Sequence, residues 1–143
     1  MTQNCHEGFS TNKISSQFYK VTIHPYGGNV IPNAIKFELR WQPIDKGIVS
    51  NEFQLFTNEY KEERQWERTD LLIPVDKKQS KILFLKCLYS LPSVTPTKMT
   101  GCGVTSDFEG RMYLRYSIKP EEIGNYKEID QKIKSKLSEF MVE

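Results

Sequence analysis

Nine residues, Lys81 to Tyr89 (KILFLKCLY), constrain the fold more than any other stretch of the chain. Ile82, Leu83, Phe84, Leu85, Cys87 and Leu88 are apolar and Tyr89 adds an aromatic body. A run this short and this apolar buries both of its faces if it is a strand. Turn-forming residues close it on either side, Asp76 to Ser80 before it and Pro92 and Pro96 after it, so we read a central strand and not a buried helical segment. The rest of the chain is read as cover for that strand.

Several neighbouring segments carry strand patterns. Phe18 to His24 alternates, with Tyr19, Val21 and Ile23 on one face, before Pro25 to Asn29 breaks it. Ile35, Phe37, Leu39 and Trp41 alternate with Lys36, Glu38 and Arg40, which predicts a strand with one face on a core and one in water. Pro43 to Gly47 turns the chain and Ile48 to Phe56 is the next predicted strand, with Phe53 and Leu55 inward. Thr57 to Arg68 is highly charged and reads as a solvated loop or hairpin with some helix, and Asp70 to Val75 as a short strand bent by Pro74. Leu91 to Gly110 is the longest stretch without a clear period, with a short strand expected at Val104 to Phe108. Arg111 to Ile118 puts Met112, Leu114, Tyr116 and Ile118 inward and Arg111, Tyr113 and Arg115 outward.

The C-terminal segment changes period. Pro120 with Glu121 and Glu122 suits a helical first turn, where a missing N–H costs nothing and acids complement the helix dipole. From Lys127 to Val142, Ile129, Ile133, Leu137, Phe140 and Met141 form one apolar stripe, predicting an amphipathic helix. The fold class that follows is mainly β: an antiparallel β-sandwich of about seven short strands with one C-terminal amphipathic helix. The alternative is an α+β arrangement, a single curved sheet gripping that helix and able to leave a pocket beneath it. Residues 1–17 are polar and aperiodic and read as a flexible arm; residues 18–143 read as one β-rich domain.

Composition narrows the function more by exclusion than by assignment. The net charge is +2 with acids and bases interspersed, so neither nucleic acid nor an anionic membrane is an expected partner. No apolar run is long enough for a membrane helix, and the sequence reads as soluble. No cofactor motif and no metal-ligand spacing appears among the three cysteines and two histidines. Cys87 and Cys102 could pair, joining the central strand to the loop after it, which would place the protein in the periplasm or outside the cell; as a buried thiol and a loop thiol they suit the cytoplasm. Cys5 near the start, ahead of a polar tether, has the arrangement of a processed bacterial lipoprotein and is the lipid-attachment position in that reading, although Met1 to Asn4 is no lipoprotein signal.

Catalytic signals are sparse. Cys102 between Gly101 and Gly103 is the one candidate nucleophile, with His24 or His6 as its base, for a Cys-dependent hydrolase. A non-catalytic protein-binding module fits better, since Arg, Tyr and Trp are the usual anchors of protein recognition. Tyr26, Trp66, Arg111, Tyr113 and Arg115 are the expected partner-binding residues. An inhibitor or immunity-type partner of a secreted bacterial protein is its concrete form, and a small-molecule or lipid carrier with a pocket under the C-terminal helix is the alternative.

Overall fold

The computed structural model describes residues 19–25, 30–62, 65–89 and 98–141. Seven antiparallel strands form one open sheet: β1 (Thr22–Pro25), β2 (Ile44–Val49), β3 (Phe53–Glu62), β4 (Gln65–Pro74), β5 (Leu83–Tyr89), β6 (Met99–Phe108) and β7 (Met112–Ile118). Their order is β1-β7-β6-β5-β4-β3-β2. The strand expected at the centre is there: β5 has three strands on each side. Helix α1 (Val30–Leu39) lies on one face, a single helical turn α2 (Lys77–Ser80) joins β4 to β5, and a 3-10 turn (Pro120–Asn125) leads into the C-terminal helix α3 (Tyr126–Met141).

The fold is mainly β, with the expected number of strands and the expected terminal helix, but the strands make one sheet and not the two of a sandwich. Successive hairpins explain this. Every neighbour from β2 to β7 is also the next strand in sequence, and a second sheet needs a crossover that such a meander lacks. Ser50 and Asn51 both take positive φ, and Glu52 N–H donates to Val49 O at 3.0 Å, closing a tight hairpin turn between β2 and β3. Glu109 and Gly110 repeat that geometry between β6 and β7, where Arg111 N–H donates to Phe108 O. The segment expected as one strand from Ile48 to Phe56 is therefore two strands folded back on each other.

The clearest departure is α1. The alternation from Ile35 to Trp41 predicted a strand; the structure has a helix over Val30–Leu39. The same residues also satisfy a helical spacing, because Ile31, Ile35 and Leu39 are four apart and Ala34 joins them on the face that meets the sheet. Ala34, Lys36, Glu38 and Leu39 are good helix formers, and Pro32 falls in the first turn, where its missing N–H breaks no hydrogen bond. The helix turns Phe37 and Trp41 away from the sheet, leaving them 51% and 61% exposed.

Both faces of the sheet are therefore packed. On the α3 side, Leu83, Leu85, Val104, Leu114, Tyr116 and Ile118 meet Tyr126, Ile129, Ile133 and Leu137, with Tyr19 and Val21 completing the cluster. The predicted helix stripe is confirmed at Ile129, Ile133 and Leu137, whereas Phe140 is 44% exposed. On the α1 side a smaller core gathers Ile31, Ile35, Phe56, Leu71, Ile73 and Phe84. The short strand expected at Val104 to Phe108 is the second half of a longer one, β6, which begins at Met99 and whose alternate residues Cys102, Val104, Ser106 and Phe108 are buried.

Candidate functional site

The part of the α1-side face that the helix does not cover forms the candidate site. Register defines it. On this face Lys86 lies across from Gly103 and Leu88 from Gly101 between β5 and β6, while Gly103 faces Ser117 and Thr105 faces Arg115 between β6 and β7. Two glycines in one row leave a trough along β6, banked by Lys86 and Leu88 on one side and Arg115 and Ser117 on the other. The resulting groove has a volume of about 930 Å³ and is open to solvent, with Glu38 of α1 at its edge and Lys20 and Lys119 also lining it.

Among the described residues nothing requires glycine at either position. A Cβ added at Gly101 would meet the carbonyl of Ile118 at 3.7 Å and one at Gly103 the carbonyl of Lys86 at 3.9 Å, both ordinary contacts, and neither residue takes positive φ. Glycine in a strand interior gives up side-chain packing and is entropically unfavourable, so its usual meaning is a bulge, a bend or the close approach of another backbone or a ligand.

The groove is electropositive. Lys86 Nζ is paired with Glu38 at 3.2 Å, and Glu122 accepts from the Tyr19 hydroxyl and, at 2.8 Å, from the Lys119 N–H. Both acids at the rim are thus engaged. Among the described residues Arg115, Lys20 and Lys119 form no ion pair.

Beyond the Glu38–Lys86 bridge the same face continues into an aromatic patch. Phe37, Trp41 and Pro43 border a second hollow of about 220 Å³ with Phe56 and Leu71 in it, and Glu38 and Lys86 line both depressions. The Arg40 guanidinium stands 4.7 Å from the Phe37 ring centre and 5.7 Å from that of Trp41, a cation-π arrangement that holds all three side chains near one another.

The predicted partner-binding residues divide. Arg115 lines the groove. Tyr113 is stacked on His24 with ring centres 4.8 Å apart, and Arg111 pairs with Glu109 at 3.5 Å in the β6–β7 turn, so of the three only Arg115 lines the trough. Tyr26 and Cys5 lie outside the described residues, as does the Trp66 side chain. The sequence reading missed Phe37 and Trp41 as surface residues because it assigned them to the buried face of a strand; the i,i+4 spacing of Ile31, Ile35 and Leu39 is the signal that would have found them.

Cys87 and Cys102 are directly opposed in the β5–β6 register and joined, with an S–S distance of 2.05 Å. Cys102 is buried on the α3 side of β6, so in this form it offers no thiolate to the face where the glycines lie. The histidine considered as its base, His24, instead bonds Thr22 Oγ1 at 3.1 Å and stacks on Tyr113.

Two buried carboxylates on the α3 side are fully committed. Asp130 of α3 accepts from Tyr116 Oη at 2.7 Å and Ser106 Oγ at 3.1 Å and pairs with Lys134 at 2.8 Å. Burial, reinforced by the Asp130 charge and hydrogen bond, holds the Tyr116 phenol well above the ordinary tyrosine range. Asp70 accepts from Thr57 at 2.9 Å, Tyr89 at 2.8 Å and Arg68 at 3.1 and 3.2 Å, with the Arg68 guanidinium 4.3 Å over the Tyr89 ring. Every acceptor of these carboxylates is used in tying strands and helix together, which fits a structural role.

Among the described residues no group of three or more His, Cys, Asp or Glu side chains could hold a metal ion, and no helix is long and apolar enough to cross a membrane. No protein-family model matches the sequence, no curated protein matches it, and no solved structure matches the fold. The geometry alone carries the functional reading.

Proposed function

We propose that this chain is a non-catalytic protein-binding module whose contact surface is the α1 side of the sheet. The carrying observation is the exposed Phe37–Arg40–Trp41 cluster standing beside an open, positively charged groove. Trp and Arg are the side chains that most often dominate binding energy, and exposing two large aromatics at a helix end gains nothing for the fold itself. In this reading Arg115 extends that surface, with Tyr113 on the same strand and Arg111 in the turn before it. Nucleic acid is not part of the proposal: a net charge of +2 supplies little counterion release, and the Tyr113 ring is stacked on His24.

The concrete form is an inhibitor or immunity-type partner of a secreted bacterial protein, acting outside the cytoplasm with Cys87 and Cys102 oxidised. A photo-cross-linking residue at Phe37, with one at the equally accessible Phe140 as control, tests the face. A single discrete adduct from Phe37 is expected. The cross-linked protein, purified and reconstituted, should lose about tenfold or more in affinity for the double variant Phe37→Ala, Trp41→Ala. Unchanged affinity with retained fold would break the proposal.

A carrier of small molecules is the second reading, favoured only by the groove's volume of about 930 Å³, which falls in the range of ligand pockets. That groove lies on the face opposite the C-terminal helix, and its open, cation-bearing banks suit a polymer segment better than an enclosed apolar ligand.

A further inference from the structure

The groove's chemistry specifies what part of a protein it can hold, given the reading of this face as a protein-binding surface. Its floor is the backbone of β6 at Gly101 and Gly103, and its banks belong to β5 and β7. Neighbouring strands lie about 4.8 Å apart, so the banks stand roughly 10 Å from each other, wide enough for one extended chain. Gly101 and Gly103 are two residues apart, roughly 7 Å along the strand, and the same spacing separates alternate side chains of any extended peptide. Two such side chains can therefore descend over the two glycines while the ones between them point to solvent.

Charge selects among extended peptides. Arg115, Lys20 and Lys119 surround the trough without an ion pair among the described residues, while Glu38 and Glu122 are already satisfied. Ser117 on the Arg115 bank and Thr105 on β6 add hydroxyls, and neither hydroxyl makes a hydrogen bond among the described residues. A carboxylate reaching Arg115 can be held by a planar two-nitrogen fork, a geometry lysine lacks. Among the described residues no ring lining the trough offers an open face for a base or sugar: Tyr19, Phe84 and Tyr116 are all buried, and Leu88 is the exposed apolar side chain of its bank.

We infer that the β6 trough receives an extended acidic segment of the partner protein, its alternate side chains entering over Gly101 and Gly103 and its carboxylates meeting Arg115, Lys20 and Lys119. The aromatic patch around Trp41 then anchors a second, apolar part of the same partner beyond the Glu38–Lys86 bridge.

The test uses the full chain in its oxidised form and a fluorescein-labelled peptide of about twelve residues alternating Glu and Thr, with Gln/Thr and Lys/Thr counterparts and a thymidine oligonucleotide of similar length. Fluorescence anisotropy should show the acidic peptide binding about tenfold or more tightly than the Gln peptide, and weakening as salt is raised. Arg115→Glu should reduce that binding about tenfold. Gly103→Leu should abolish it, and Gly103→Ala, whose Cβ makes only an ordinary contact, should weaken it less; thermal unfolding of both variants separates loss of binding from loss of fold. Equal binding of acidic and Gln peptides, tighter binding of the oligonucleotide, or acidic-peptide binding indifferent to Gly103→Leu overturns the inference. If those outcomes occur while the cross-linked partner still depends on Phe37 and Trp41, the acidic-segment assignment falls and the protein-binding face stands. If partner affinity ignores Gly103→Leu and the aromatic double variant alike, both fall.

Discussion

The two faces of the sheet are built to different specifications. On the α3 side a sixteen-residue helix lays its apolar stripe along the strands, and the two buried carboxylates there have every acceptor occupied. On the α1 side a ten-residue helix packs on β3 to β5 and also approaches β6, and the part of the β6 and β7 face beyond it is left as glycine, hydroxyl and arginine. The first face carries the stability and the second is free to carry recognition. A protein that divides these duties can change the residues of one face with little effect on the other.

Mutations on the α3 side should give the largest effects. Ile133→Ala, in the middle of the helix stripe and fully buried, is expected to lower unfolding free energy by about 2–5 kcal/mol in a denaturant titration. Replacing both Cys87 and Cys102 by serine opens a loop of 15 residues and should remove about 3 kcal/mol, read the same way with oxidised and reduced wild type in parallel. An Ile133→Ala protein as stable as wild type would erase the contrast between the faces.

Alkali acts on the same side. Burial and the neighbouring Asp130 charge raise the Tyr116 phenol well above its ordinary value, and burial raises Tyr126 to about 12. Each folded pKa lies above the unfolded one, so this contribution is complete below about pH 10 and is lost as the unfolded chain releases its phenolic protons first. Stability should fall between about pH 10 and pH 12 in chemical melts, and Tyr116→Phe should make the decline shallower. A stability profile flat across that window would remove the argument.

On the α1 side the expected stability effects are the smallest. Trp41→Ala and Leu88→Ala change exposed side chains and should stay within about 0.5 kcal/mol of wild type, while the proposed function has Trp41→Ala weaken partner binding. A large loss for Trp41→Ala would mean that the patch supports the fold and would blunt the comparison.

The legible parts of the sequence were those where one period stood alone. Lys81 to Tyr89 is apolar on both parities, which only a central strand or a buried helix explains, and the Arg111 to Ile118 alternation has no competing helical match. Ile35 to Trp41 satisfied both periods at once, and only the inclusion of Ile31 with Ile35 and Leu39 separates them. The first half of β6 was hidden for the opposite reason: its outward residues include two glycines and its inward ones include Cys102, so small side chains on both faces flatten the alternation before Val104. The Ser50–Asn51 turn carries no glycine and so gave no hairpin signal between Ile48 and Phe56. The groove was illegible because it depends on which residues of three strands share a row. Gly103 gains its meaning only from Lys86 and Ser117 beside it.

The bond between Cys87 and Cys102 also fixes alignment. The smallest slip of β5 along β6 that keeps apolar residues inward is two positions, and it would slide Lys86 away from Gly103 and fill the trough with mismatched neighbours. A covalent tie between directly opposed residues forbids that slip. The bond therefore acts as an index pin, so that an oxidising environment would not only strengthen this protein but also determine whether its outer face displays one pattern or several.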